Sequence, residues 1–350
     1  MRIINCVLGD ASGGRWQVVC DYSRVLSQAG HRVQLLLDRR HLPDQGRLPS
    51  GVEVCIVRNR GHYDYLAAWQ VSGLLHRFSP DVAIAHCSRS VSLLKRSLGG
   101  RVPLVAVSHS NKVRRLLAAD SCIALTRHIY KKMAAGTRAG DRKQLFVIPN
   151  MVPADRLSGL PRRSPGIPQR IAAMGRFDTV KGFDVFVEAL GILRQRGLDF
   201  IAQLAGCGEQ ETALNKQSAL LGLQDRLSFP GWIEDTPSFL AEIDILCVPA
   251  RSDAFGLTPL EAAAAGVPLV LSRASGHVEM FAKSQVLFAE TGNPIATADR
   301  LQQLLDSSVE AEKCRTAAFQ HVQEFYSESV VTDKIFQAIE KTIDIFNTYN

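Results

Sequence analysis

The residues best equipped for chemistry lie between Pro249 and Pro268, directly after an apolar stretch that ends at Val248. Gly256 permits close approach of backbone to a ligand. The amides of Leu257 and Thr258 fall at a helix start, where an anion is favoured. Asp253 and Glu261 are carboxylates with seven residues between them. Glu261 lies one helical turn beyond Leu257, so both acids can face one pocket. Taken singly, Asp253 reads equally as a helix N-cap and Glu261 as a solvated helix acid.

Two further groups have the same character. In Gly175-Arg176, a strand runs into a glycine and a cation, and Lys181-Gly182 follows five residues later at a helix start. Arginine offers phosphate a planar fork and lysine a mobile point charge; alone, the pair also reads as surface basics. Ser12-Gly13-Gly14-Arg15 follows the first apolar stretch, where paired glycines let amides approach a phosphate or sugar, or simply make a tight turn. Neither a phosphate-loop lysine motif nor a dinucleotide fingerprint follows that stretch, which argues against NTPase and dehydrogenase chemistry.

Elements able to position these residues alternate along the chain. Strands are predicted at Arg2–Leu8, Arg32–Leu37, Val52–Val57, Asp81–Cys87, Pro103–Ser108, Ser121–Leu125 and Leu145–Ile148. They are predicted again at Ile171–Met174, Phe200–Ala205, Leu227–Phe229, Ile245–Val248, Pro268–Leu271 and Val286–Phe288. Continuous Val/Ile/Leu/Ala runs belong to strands covered on both faces of a parallel sheet. Helices are expected at Trp16–Gln28, Leu66–Phe78, Phe183–Gln195, Glu209–Leu221, Leu257–Ala265 and Ile295–Leu305, with one or two more from Val309 to Phe346. Met151 to Gln169 holds four prolines and no periodicity, and reads as a linker. The expected fold is α/β: two Rossmann-like domains with mainly parallel sheets facing a cleft. The boundaries are 1–160, 161–330 and a terminal helix at 331–350.

The 350 residues are 46% hydrophobic and 21% charged, as in a globular chain. Met1–Cys6 reads as a strand rather than a leader, and no apolar run reaches membrane-span length. None of the eight cysteines forms a Cys-x-x-Cys pair, which points to free thiols in a reducing compartment. Charge is unevenly spread. Residues 1–165 hold 26 Lys and Arg against 10 Asp and Glu, a net +16, and the remainder holds 15 against 24, a net −9. Such asymmetry suggests that the first half meets an anionic partner.

The order Gly13-Gly14, Gly175-Arg176, Lys181-Gly182, Asp253, Phe255-Gly256, Glu261-Ala262 and Gly266-Val267-Pro268 resembles family 4 of the GT-B glycosyltransferases. Pro80 to His86, Pro103 to His109 and Val147-Ile148-Pro149-Asn150 extend the resemblance over nearly the whole chain. It implies that Arg176 and Lys181 bind a donor diphosphate, that Glu261 holds ribose hydroxyls, and that Asp253 holds the donor sugar. The family has a longer Glu at the Asp253 position. It also implies that His109 contacts the sugar near the reacting centre, that Gly13 and Gly14 meet the diphosphate, and that Phe255, Gly256, Leu257 and Thr258 complete the donor side. His86 would line the acceptor side, with a core histidine as the other reading, and Trp232 would lie near the base.

The implied activity is retaining transfer of a hexosyl group from a nucleotide-sugar, UDP-sugars favoured, to a glycan or lipid-linked acceptor. Lipopolysaccharide or other cell-surface polysaccharide synthesis is the expected setting. No metal is expected, because the two cations and the helix amides would stabilise the leaving group. The alternatives are a nucleotide-sugar 2-epimerase and a non-catalytic sugar- or nucleic-acid-binding protein of the same fold. No nucleic-acid motif is present. The basic half, with Lys112, Arg114 and Arg115 beside Leu116 and Leu117, and then Lys131, Lys132, Arg138, Arg142 and Lys143, is expected to offer an amphipathic helix to an anionic membrane. The localisation expected is cytoplasmic, peripheral on the inner face of the cytoplasmic membrane.

Overall fold

The computed structural model describes residues 1–9, 13–42, 48–138, 143–157 and 168–349. Two compact units result, Met1–Met151 with Ser329–Asn350, and Val152–Glu328. The units thus divide ahead of residue 160, where the proline-rich stretch had placed the boundary. The proline-rich residues 158–167, together with Ser12 and Arg142, lie outside the described residues.

The first unit is built on seven parallel strands: β1 (Arg2–Val7), β2 (Arg32–Asp38), β3 (Glu53–Val57), β4 (Val82–Ala85), β5 (Leu104–Val107), β6 (Ser121–Ala124) and β7 (Gln144–Val147). Their order is β3-β2-β1-β4-β5-β6-β7. Ile3 is in register with Val33 on one side and Val82 on the other. β4, β5 and β6 are buried along their whole length, which is why their sequences are unbroken apolar or small-residue runs. Helices α1 (Gly13–Gln28), α2 (Tyr65–Phe78), α3 (Ser88–Leu98) and α4 (Arg127–Ala135) connect them. The Asp64 carboxylate caps α2 by accepting from the Ala67 amide. Ala67, Val71, Leu75 and Phe78 form the buried stripe of that helix.

The basic-apolar helix expected around Lys112–Leu117 does not form. The segment is irregular up to a single 3-10 turn, Leu116–Ala118, in which Leu116 is buried. Burying Leu116 against the sheet removes it from any surface helix face. No helix among the described residues is long and apolar enough to cross a membrane.

The second unit has six parallel strands: β8 (Gln169–Met174), β9 (Phe200–Ala205), β10 (Leu227–Ser228), β11 (Ile245–Val248), β12 (Leu269–Ser272) and β13 (Leu287–Ala289). They run in the order β10-β9-β8-β11-β12-β13. Their helices are α5 (Phe183–Gln195), α6 (Glu211–Leu220), α7 (Thr236–Ala241), α8 (Leu257–Ala264), α9 (Ser275–Met280), α10 (Pro294–Asp306) and α11 (Ser308–Phe325). Phe177, Phe186, Phe200 and Leu301 are at the centre of its core. The last helix, α12 (Glu328–Tyr349), packs with the first unit, where the Thr342 hydroxyl lies 2.8 Å from that of Ser121.

In each sheet the direction of strand addition reverses once, between β1 and β4 and between β8 and β11. At such a switch point the loops at the carboxyl ends of the strands splay apart and leave room for a ligand. Four of the segments singled out from the sequence lie there, whereas His109 follows β5 and Trp232 follows β10. Gly13 and Gly14 follow β1, His86 follows β4, Gly175-Arg176 follows β8, and the run from Pro249 follows β11.

Candidate active site

In the second unit, the turn after β8 and the loop after β11 are fastened together. Gly182 has φ +67° and packs so tightly that a Cβ there would stand 2.4 Å from the Pro249 carbonyl oxygen, so only glycine fits. The Arg251 amide donates to the Val180 carbonyl at 2.8 Å, and the Arg251 guanidinium grips both oxygens of Asp184 at 2.7 and 2.6 Å. Asp178 organises the two cations. One carboxylate oxygen accepts from the Lys181 amide, and the other lies 3.1 Å from Arg176 Nε.

The Lys181 ammonium reaches across this junction to Asp253, with Nζ to Oδ2 at 2.9 Å. Asp253 is therefore not the N-cap of α8, a position held by Gly256 with no side-chain cap. Its other oxygen accepts from the Phe255 amide at 3.3 Å, and its carbonyl accepts from the Gly276 amide at 3.1 Å. Behind it sits His277, which is 0% exposed. His277 Nδ1 is 3.0 Å from the Ser272 carbonyl, which can only accept, so Nδ1 donates to it. Nε2 then faces Asp253 Oδ2 at 3.9 Å. Burial alone raises the pKa of the Asp253 carboxyl. The His277 ring and the Lys181 charge outweigh it and hold the group well below the usual carboxylate range.

Glu261 projects from α8 and is bound by Arg156, Nη1 to Oε1 at 3.0 Å. Burial raises its pKa, against the opposing pull of Arg156. Leu257 and Thr258 are half-buried at the start of α8, and Gly256 is buried. The Phe255 ring, expected on the donor side, is instead buried against Tyr326, so that only its backbone borders the site. Trp232 is half-exposed in the segment after β10.

In the first unit, Gly13 and Gly14 are exposed in the opening turn of α1. His86, expected to line the acceptor side, is buried instead. Its Nδ1 meets His109 Nε2 at 3.0 Å, and Tyr22 packs edge-on against its ring. Burial lowers the His86 pKa to about 3, and burial followed by the neighbouring His86 lowers that of His109, so the pair is neutral. His86 thus fixes the orientation of His109 from below.

The second unit therefore gathers two cations, an uncapped helix start and two carboxylates at one switch point. An ammonium has three donors, so Lys181 can keep Asp253 and still bind a phosphate oxygen. Among the described residues no group of three His, Cys, Asp or Glu side chains is placed to hold a metal. Sequence reasoning passed over Arg156, Asp178 and His277. Only Asp178, three residues before Lys181, carried a local signal, that of a cap.

The family described as Glycosyltransferase Family 4 matches residues 12–156, and that described as Glycosyl transferases group 1 matches residues 162–321. The lipopolysaccharide core biosynthesis glycosyltransferase LpsD of Rhizobium meliloti is 24% identical over 284 residues, 80% of each chain. The LpsE enzyme of the same organism, described in the same words, is 27% identical over 59% of this chain and 60% of its own. The crystal structure of Anabaena Alr3699/HepE in complex with UDP and glucose superimposes with a TM-score of 0.82 at 17% identity, covering 97% of this chain and 100% of that one.

Proposed function

The chain belongs to the GT-B, family 4-like glycosyltransferases, and from that premise we propose that it moves a hexosyl group from a nucleotide-sugar to a glycan or lipid-linked acceptor with retention of configuration. The observation that carries this reading is the convergence of Arg176, Lys181 and the uncapped α8 start at the β8/β11 switch point. Such an array suits a diphosphate. UDP-sugars are the favoured donors, since Alr3699/HepE has been crystallised with UDP and glucose. The relatives in lipopolysaccharide core synthesis point to a cell-surface acceptor.

In this reading Arg176, Lys181 and the Leu257 and Thr258 amides stabilise the departing diphosphate in place of a divalent metal. The bond from the anomeric carbon to the phosphate oxygen breaks while the acceptor oxygen bonds to the same face. The acceptor's hydroxyl proton passes to the leaving phosphate oxygen. Glu261 holds the ribose hydroxyls, and Asp253 both orients Lys181 and meets the donor sugar. The expected setting is cytoplasmic, peripheral on the inner membrane face, and eight cysteines with no Cys-x-x-Cys pair among them suit a reducing compartment.

The test is a thermal-shift screen of UDP-, GDP- and ADP-sugars, followed by product analysis with and without acceptor. A ligand at about 100 times its Kd stabilises by ~2.7 kcal/mol. Stabilisation by one nucleotide class, with α-linked transfer from an α-linked donor, is expected. Release of an epimerised sugar without acceptor would establish the epimerase instead, and no stabilisation by any nucleotide would overturn the transferase reading.

A further inference from the structure

The outer face of α2 breaks the pattern of the helix. Its inner stripe is filled, yet Tyr63, Tyr65, Leu66 and Trp69 stand 74%, 68%, 74% and 77% exposed at its N-terminal end. A solvated face would carry acids and amides at these places. Tyr65 to Phe78 contains no acid, and Asp64 is spent on the Ala67 and Arg60 amides. Single exposed apolar residues are ordinary, but four within seven positions of chain form a patch that calls for a partner.

Cations frame the patch. The Arg96 guanidinium lies over the Tyr63 ring at 5.4 Å and the Tyr65 ring at 4.9 Å. Arg115 Nη1 is 2.8 Å from His62 Nε2, at the patch's edge. On the far side of Trp69, Arg77 and Arg101 line an open concavity with it. Tyrosine and tryptophan rings with an exposed leucine are the side chains that settle at headgroup depth in a bilayer, and guanidinium groups pair with phosphate there.

We infer that this face of the first unit, from Tyr63 to Trp69 with Arg96, Arg115, Arg77 and Arg101 around it, docks on an anionic lipid surface. The inference deepens the reading of a lipid-linked acceptor. It moves the membrane contact from the Lys112–Leu117 segment, which is not a helix, to α2, and keeps only Arg115 of that segment. Leu66 and Trp69 enter the interface while the arginines neutralise lipid phosphates.

The test uses the full chain and vesicles of phosphatidylcholine with or without phosphatidylglycerol. Binding to the anionic vesicles should be on the order of tenfold tighter or more, and should weaken with salt. Leu66→Gln with Trp69→Gln, which keeps good helix formers at both places, should lower it by about tenfold. Lys112→Ser should change it by less than about twofold. In a Trp232→Phe background, brominated lipid should quench Trp69, since Trp16 is buried. Equal binding to neutral vesicles, undiminished binding by the folded double variant, or a concentration-dependent dimer abolished by that variant would each overturn the proposal, the last in favour of a second copy. UDP thermal shift, read on the same proteins, separates this outcome from failure of the transferase reading. The double variant should keep the shift of the wild type.

Discussion

Replacing Lys181 by Met would leave the Asp253 carboxylate facing a buried imidazole with no ammonium on it. The pair is 2.9 Å apart, with side chains 29% and 14% exposed for Lys181 and Asp253. At an effective dielectric of about 20, the Coulomb term for that distance is about 6 kcal/mol. The desolvation of both ions offsets much of it, and breaking a buried pair from one side costs ~3–5 kcal/mol. The partial exposure of Lys181 sets the expectation at the lower end, about 3 kcal/mol. A unit of this size loses roughly 2–4 °C in Tm per kcal/mol, so Lys181→Met should lower the melting of the second unit by about 6–12 °C. Asp253→Asn alone removes the charge that needs compensating. The double variant should therefore be more stable than the sum of the singles implies, by about 2 kcal/mol or more. The folded-state pKa of Asp253 is depressed, so the pair's contribution is fully present above the ordinary carboxyl pKa of about 3.9 and is lost only as pH falls through the lower folded value. The difference between wild type and Lys181→Met should accordingly stay constant from about pH 5 to 8. Turnover of Lys181→Met should fall by about a hundredfold. Calorimetry of the four proteins reads the cycle, and additivity within about 0.5 kcal/mol would refute the coupling. Normal turnover in a destabilised Lys181→Met would leave Lys181 a purely structural role.

Arg176 is two-thirds exposed and its pair with Asp178 is open to solvent, so Arg176→Ala should leave the melting temperature nearly unchanged while lowering turnover about a hundredfold. A folded variant with wild-type kinetics would remove Arg176 from the diphosphate site. Removing Arg156 takes away the group that opposes the burial of Glu261, so Arg156→Gln should raise the Glu261 pKa further and move the acid limb of UDP affinity to higher pH. Calorimetric titration across pH checks this, and an unmoved limb would show that Glu261 does not meet the nucleotide. Activity should survive excess EDTA; loss with chelator and rescue by Mg²⁺ or Mn²⁺ would show that the two cations do not suffice.

The strands were legible because burial on both faces writes itself into consecutive residues. Val82–Ala85, Leu104–Val107 and Ile245–Val248 are apolar at every position for that local reason. The turn after β8 and the loop after β11 were legible as well, since glycines, cations and a helix start occur there within a few residues. What approaches them from elsewhere in the chain was not. His277 reaches Asp253 only because β12 and α9 carry it back to the same switch point, and Arg156 reaches Glu261 from the far end of the unit's sequence. No spacing rule links residues that far apart. Their meeting depends on strand order and on the direction in which each side chain leaves the backbone. The basic segment at Lys112–Leu117 shows the converse. Its composition suits an amphipathic helix, yet the core claims Leu116 and leaves a single turn. Local composition decides which elements a segment can form. Packing decides which of its side chains remain outside, and so the apolar face offered to solvent is the outer side of α2 rather than the segment richest in charge.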